Sequence, residues 1–160
     1  MIRKTAIAGL VLSIMIGGGA LAHCEIPCGI YDDAARYDML EEHITTMEKA
    51  MTQIDSLVAM GERGNLAYNQ LIRWTMNKED HANQFQDIVS QYFLHQRIKP
   101  KTSDDGQAYQ EYLRQLELFH QMAVRAMKCK QTVDKAHIEK LRELVRESRE
   151  LYFKEDEHEH

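Results

Sequence analysis

The stretch YDMLEEHITTMEKAMTQIDSLV, residues 37–58, repeats apolar side chains at alternating steps of three and four residues. The apolar positions are Tyr37, Leu40, Ile44, Met47, Met51, Ile54 and Val58. This spacing places them on one face of an α-helix, where other helices can cover them. We expect a helix from about residue 32 to residue 60, with Asp32 and Asp33 in the first turn, where the helix dipole favours acids. The glycines at 61 and 64 mark its end.

Three more amphipathic runs follow. The second helix starts near Asn65, a suitable cap, and ends before Pro100 because the residue ahead of a proline is disfavoured in α geometry. It carries Leu71, Trp74, Ala82, Phe85, Ile88, Val89 and Tyr92. The third carries Tyr109, Leu113, Leu116, Phe119, Ala123 and Met127, and the fourth carries Ile138, Leu141, Val145, Ser148 and Tyr152. The pattern predicts an all-α fold, an antiparallel four-helix bundle over residues 32–154 with a charged tail at 155–160.

The composition agrees with one helical domain. The chain has 160 residues, of which 44% are hydrophobic and 28% charged, with only 8 Gly and 2 Pro. These values exclude a disordered chain and a multispan membrane protein. The formal net charge of −5 argues against a nucleic-acid partner, since such proteins normally carry a basic face.

The first 22 residues have the pattern of an export signal. Two basic residues, Arg3 and Lys4, precede an apolar run over 5–16 and the small-x-small sequence 20–22. This order predicts a signal peptide cleaved behind Ala22, and therefore a periplasmic or extracellular protein with no membrane contact after cleavage. The alternatives are an uncleaved N-terminal anchor and a lipoprotein signal, although His23 is larger than the residue that precedes a lipidated cysteine.

Cleavage behind Ala22 would make His23 the first residue of an irregular hook, residues 23–31. His23 then offers an α-amine and an imidazole, Cys24 a backbone amide and a thiolate, and Cys28 a second thiolate. Pro27 and Gly29 allow the chain to turn back so that both sulfurs reach one metal ion. A planar set of two nitrogens and two sulfurs suits Ni(II) or Cu(II), whereas zinc prefers a tetrahedron.

The string HCEIPCGIY, residues 23–31, resembles the nickel hook of the nickel-containing superoxide dismutases. The resemblance implies a four-helix subunit assembled as a homohexamer, with one nickel ion per subunit held by His23, Cys24 and Cys28. It implies a reaction in which superoxide is disproportionated to O₂ and H₂O₂ by Ni(III)/Ni(II) cycling. It also implies that Tyr31 stands beside the open face of the metal and that Tyr92 closes the pocket. The chain departs from frequent family residues at Glu25, Met39, Asn77 and Leu94.

Other interpretations of these residues remain open. Cys24 and Cys28 can form a disulfide, as in exported proteins, which would suit a thiol redox protein. An exported protein that stores or delivers nickel or copper without dismutase activity is the main alternative function. Tyr31 can simply attach the hook to the bundle, and Tyr92 can simply pack in the core.

The remaining candidate ligands are expected to be structural. We expect Cys129 to be a free or buried thiol, and we expect the five histidines between the hook and the tail to be exposed or satisfied by hydrogen bonds. Those histidines are His43, His81, His95, His120 and His137. His158 and His160 in the tail can bind nickel loosely, but a solvated tail is the simpler interpretation.

Overall fold

A computed structural model describes residues 31–61 and 64–156 of the chain. The described residues form four long helices and no strand, which confirms the predicted all-α bundle. The helices are α1 (Asp33–Ala59), α2 (Asn65–Asp87, continuing as a π-helix over Ile88–Arg97), α3 (Gln107–Gln131) and α4 (Ala136–Asp156). The predicted signal peptide and the hook residues 23–30 lie outside the described residues.

Local chemistry defines the helix ends. The Asp32 side chain accepts a hydrogen bond from the Ala35 backbone at 2.9 Å, so Asp32 caps α1 and Asp33 is its first helical residue. Gly61 follows the last turn with φ of 63°, a left-handed conformation that favours glycine. The expected cap at Asn65 was wrong, because Gly64 is the N-cap of α2 and Asn65 is already helical.

Side-chain contacts between helices show that neighbours run antiparallel. Along α1 and α4, Tyr37 contacts Ser148 and Glu48 contacts Arg142, so the numbers rise on one helix as they fall on the other. Helices α2 and α3 are also antiparallel, because Lys78 contacts Thr132 and Gln86 contacts Ala123. The same is true of α3 and α4, through Arg114 with Glu147 and Arg125 with His137.

The predicted apolar faces are correct for α4 and for most of α1. All five α4 positions are buried, as are the α1 positions from Tyr37 to Met51. Val58, by contrast, is 66% exposed, and the α3 positions Leu113 and Met127 are about two-fifths exposed. Of the predicted α3 positions, Phe119 is buried, and the rest of the buried face consists of Gln115, Leu118, Met122, Ala126 and Cys129. The prediction therefore placed the wrong side of α3 toward the core. Apolar residues occur around much of this helix, and the contacts with neighbouring helices decide which of them are buried.

Aromatic rings fill the end of the core where α1 begins. Phe93 stacks on Phe119 with ring centroids 5.0 Å apart. The ring centroid of Tyr37 lies 4.7 Å from that of Phe93. Tyr152 meets Phe93 edge-on at 5.7 Å. Aromatic pairs at these separations add to the stability that burial itself provides. They fix the end of the bundle from which the predicted hook segment departs in sequence.

Candidate functional site

Of the five predicted site residues, the structure describes Tyr31 and Tyr92. The predicted metal ligands His23, Cys24 and Cys28 lie outside the described residues, so their role stays a prediction. Tyr31 is half-buried.

Tyr92 is buried, and its hydroxyl makes a polar contact. Its side chain is on the π-helical part of α2, and the residue is 5% exposed. The hydroxyl donates a hydrogen bond to Asp33 Oδ1 at 2.5 Å. The Arg36 guanidinium lies 4.9 Å from the centre of the Tyr92 ring, and Phe93 packs against the ring edge-on. The ring thus packs as a core residue does, while the hydroxyl belongs to a polar cluster.

Asp33 is the centre of that polar cluster. Arg97 approaches it with two nitrogens, Nε at 2.9 Å from Oδ1 and a terminal nitrogen at 2.6 Å from Oδ2. The Tyr152 hydroxyl donates to Oδ2 at 2.7 Å. One carboxylate on α1 therefore binds two groups from α2 and one from α4. We call Asp33, Tyr92, Arg97 and Tyr152 the Asp33 cluster.

The cluster keeps Asp33 charged and its tyrosines protonated. Burial alone would raise the pKa of Asp33, but hydrogen bonds from Arg97, Tyr92 and Tyr152 outweigh it and hold the pKa below its ordinary value. Burial and the hydrogen bond to Asp33 raise the pKa of Tyr92 to about 12. The same two causes raise the pKa of Tyr152. Both phenols are therefore neutral at physiological pH.

The π-helix brings Tyr92 and Arg97 to the same carboxylate. In an α-helix, residues five apart point in clearly different directions, whereas the wider turn of a π-helix places them nearly one above the other. The hydrogen bond from the Ile98 backbone N–H to the Phe93 carbonyl, 2.9 Å long, spans five residues in this way. Sequence reasoning missed Arg97 and Tyr152, and it assigned Asp33 only to the helix dipole. The sequence offered only two hints of the cluster. Asp33 lies close to the hook in sequence, and Arg97 is a basic residue near the end of α2.

The structure pairs two histidines that the sequence keeps apart. His43 of α1 is 7% exposed, and its Nδ1 lies 2.9 Å from Nδ1 of His81 on α2. One ring nitrogen must donate and the other accept at this distance. Burial, together with the proximity of His81, lowers the pKa of His43. This agrees with the expectation that the bundle histidines are satisfied by hydrogen bonds.

Cys129 is a free, fully buried thiol at the end of α3, as predicted. Burial raises its pKa to about 11, so the sulfur remains protonated. Within residues 31–61 and 64–156, no group of three or more His, Cys, Asp or Glu side chains could hold a metal ion. Nor does this part of the chain contain a helix long and apolar enough to cross a membrane.

Comparison with known proteins matches the chain to a family. The family model described as nickel-containing superoxide dismutase matches residues 19–156. The match covers most of the chain and includes the hook residues 23–31 as well as all four helices. No curated protein and no solved structure matches the chain.

Proposed function

The chain belongs to the nickel-containing superoxide dismutases, and on this premise we propose that His23, Cys24 and Cys28 hold its nickel. Membership makes the protein an oxidoreductase that uses nickel to disproportionate superoxide into O₂ and H₂O₂. The observation that carries the proposal is the family match, which starts at residue 19 and so contains the whole HCEIPCGIY segment. It favours an enzyme over a protein that only stores or delivers metal.

The donor set of the hook fits nickel. An α-amine, a backbone amide and two thiolates occur within six residues, and soft anionic donors in a plane suit Ni(II). Cys129 does not compete for the metal, because it is fully buried in the bundle and keeps its proton. The imidazole of His23 would be a fifth donor available to the metal.

The bound metal supplies a one-electron couple with which one superoxide is oxidised to O₂ and a second is reduced to H₂O₂. The reduction consumes two protons, and we propose that the Tyr92 hydroxyl does not supply them. Its hydroxyl donates to Asp33, and its pKa of about 12 keeps it protonated at neutral pH. We assign to Tyr31 and Tyr92 the roles of ordering water and excluding larger oxidants from the metal.

The proposed ligand set requires removal of residues 1–22. The α-amine of His23 becomes available only when the peptide bond after Ala22 is cut. We therefore propose that export and cleavage precede activity, and that the enzyme works in the periplasm or outside the cell. The signal pattern described above supports this location.

We also propose that the subunits assemble as a homohexamer. Lys78 on α2 meets the last residues of α3, so the part of α2 before Lys78 extends past the end of α3. There, four apolar side chains are 56–73% exposed: Leu66, Tyr68, Ile72 and Met76. Tyr68, Ile72 and Met76 follow one another at steps of four residues and therefore share one side of the helix. An exposed apolar face of this kind is typical of an interaction surface, and a second subunit would cover it.

The exposed face of α2 can be tested by light scattering on the purified protein. Ile72→Glu places a charge in the apolar face, and we expect it to reduce the assembly to smaller species. Gln84→Glu adds the same charge at an exposed position of α2 near its other end and should remain hexameric. A hexameric Ile72→Glu protein would show that this face is not a subunit contact.

Cysteine substitutions test the ligand set itself. Cys24→Ser removes one proposed thiolate, and we expect it to abolish nickel binding and dismutation. Cys129→Ala removes the third cysteine and should leave the nickel content and the rate per nickel unchanged. A Cys24→Ser protein that keeps both would overturn the assignment.

A further inference from the structure

Asp33 joins three helices at the point where the bundle begins. Its side chain is only 10% exposed, and its two carboxylate oxygens together receive Tyr92, Arg97 and Tyr152. Hydrogen bonds to an ionised acceptor are stronger than neutral ones, and the Arg97 contact is made by two nitrogens. The carboxylate therefore imposes a fixed geometry on each group that it binds.

The consequence for Tyr92 concerns the direction of its hydroxyl proton. A phenol has one O–H group, and in Tyr92 this group donates its hydrogen bond to Asp33. Arg36 and Phe93 hold the ring on two sides. Rotation of the hydroxyl toward another acceptor would break its bond to a charged partner.

We propose that Asp33 is a positioning residue for superoxide dismutation, because it fixes Tyr92 as a hydrogen-bond acceptor toward any further group. This inference rests on the proposed role of Tyr92 beside the nickel. Superoxide anion can only accept hydrogen bonds, so it gains nothing from an acceptor. Water and hydrogen peroxide carry O–H groups and can donate to the Tyr92 oxygen. Asp33 thus makes Tyr92 a group that orders proton-bearing molecules rather than one that binds the anion.

The direction of the Tyr92 proton can be measured without changing Asp33. The tyrosine Raman doublet reports whether a phenol mainly donates or mainly accepts hydrogen bonds, and subtracting the Tyr92→Phe spectrum from the wild-type spectrum isolates Tyr92. In the nickel-loaded protein at neutral pH, we expect the signature of a strong donor to a carboxylate. A signature of a phenol that donates to nothing would overturn the proposal.

Kinetics then test whether this geometry matters for the reaction. Asp33→Asn keeps the shape of the side chain and removes its charge, so we expect the Raman signature of Tyr92 to change. We expect kcat/KM per bound nickel to fall about tenfold, as for one lost hydrogen bond to a charged group. Tyr92→Phe should lower it by a similar factor. The double variant should be no slower than either single variant, since both act through one contact.

Asp38→Asn is the matched control. Asp38 lies on α1 five residues after Asp33, its side chain is 68% exposed, and it pairs with Arg149 on the surface. This variant should match wild type in rate and in Raman signature. A wild-type rate for Asp33→Asn, or fully additive effects of Asp33→Asn and Tyr92→Phe, would refute the positioning role. If Tyr92→Phe itself keeps the wild-type rate, the proposed role of Tyr92 fails and this inference fails with it. The ligand set, tested separately by Cys24→Ser, would then still stand.

Discussion

The Nδ1 atoms of His43 and His81 lie 2.9 Å apart between α1 and α2. The hydrogen bond between them needs one nitrogen without a proton, and His43 is almost fully buried. Protonation of both rings would place two positive charges against each other in the bundle. The pair therefore links the stability of the fold to pH.

We expect wild-type stability to fall as the pH is lowered below 6.5. The pKa of His43 is lower in the folded state than its ordinary value of 6.5, mainly because of burial, so the unfolded chain binds the proton more tightly. The stabilisation is complete above 6.5 and is lost as the pH falls toward the lowered folded pKa. Thermal unfolding at pH 7.5 and 5.5 measures this loss.

The variant His43→Asn removes the titrating ring while keeping a short polar side chain, and its melting temperature should depend less on pH over this interval. His120→Asn, at an exposed position of α3, should keep the wild-type pH dependence. An equal pH dependence of His43→Asn and wild type would show that this histidine does not contribute.

Lys78 should be among the most important polar residues for stability. The residue is 3% exposed, and its Nζ donates to the carbonyls of Cys129, Lys130 and Thr132, at 2.6, 2.5 and 3.1 Å. These carbonyls lie at the C-terminus of α3, where no further backbone N–H is available. Lys78→Met removes all three bonds and should lower the free energy of unfolding by about 2–3 kcal/mol in urea denaturation. Lys49→Met, at an exposed site on α1, should change it by less than about 0.5 kcal/mol, and equal losses in both variants would contradict this role.

One added residue should abolish activity if the α-amine of His23 is a ligand. An alanine inserted between Ala22 and His23 moves the free amine one residue away and leaves every side chain in place. We expect superoxide dismutation to fall to the level of Cys24→Ser while circular dichroism shows an intact helical fold. Glu25→Asp, which changes the hook but not its donors, should stay active. Full activity in a protein whose mass includes the extra alanine would exclude the amine as a ligand.

The sequence was sufficient to predict the helices and the family because both depend on local patterns. Steps of three and four residues define a helix face, and the nine residues 23–31 contain the complete proposed donor set. The face of α3 was predicted in the wrong rotation, because Leu113 and Met127 satisfy the same period as the buried Met122 and Ala126. Only packing against α2 and α4 decides between such alternatives.

The Asp33 cluster could not be predicted because its members are far apart in the chain. Tyr92, Arg97 and Tyr152 lie 59, 64 and 119 residues from Asp33. No spacing rule connects them, and the π-helical turn that aligns Tyr92 with Arg97 has no recognised signal in the residues themselves. The His43 and His81 pair was hidden for the same reason, since each is unremarkable on its own helix.

We propose that cleavage behind Ala22 creates the nickel site, and intact-mass analysis combined with nickel quantification of the native protein tests this proposal. We expect a chain that begins at His23 and carries one nickel ion per subunit. A mature chain that begins at any other residue, or one that begins at His23 and contains no nickel, would contradict it.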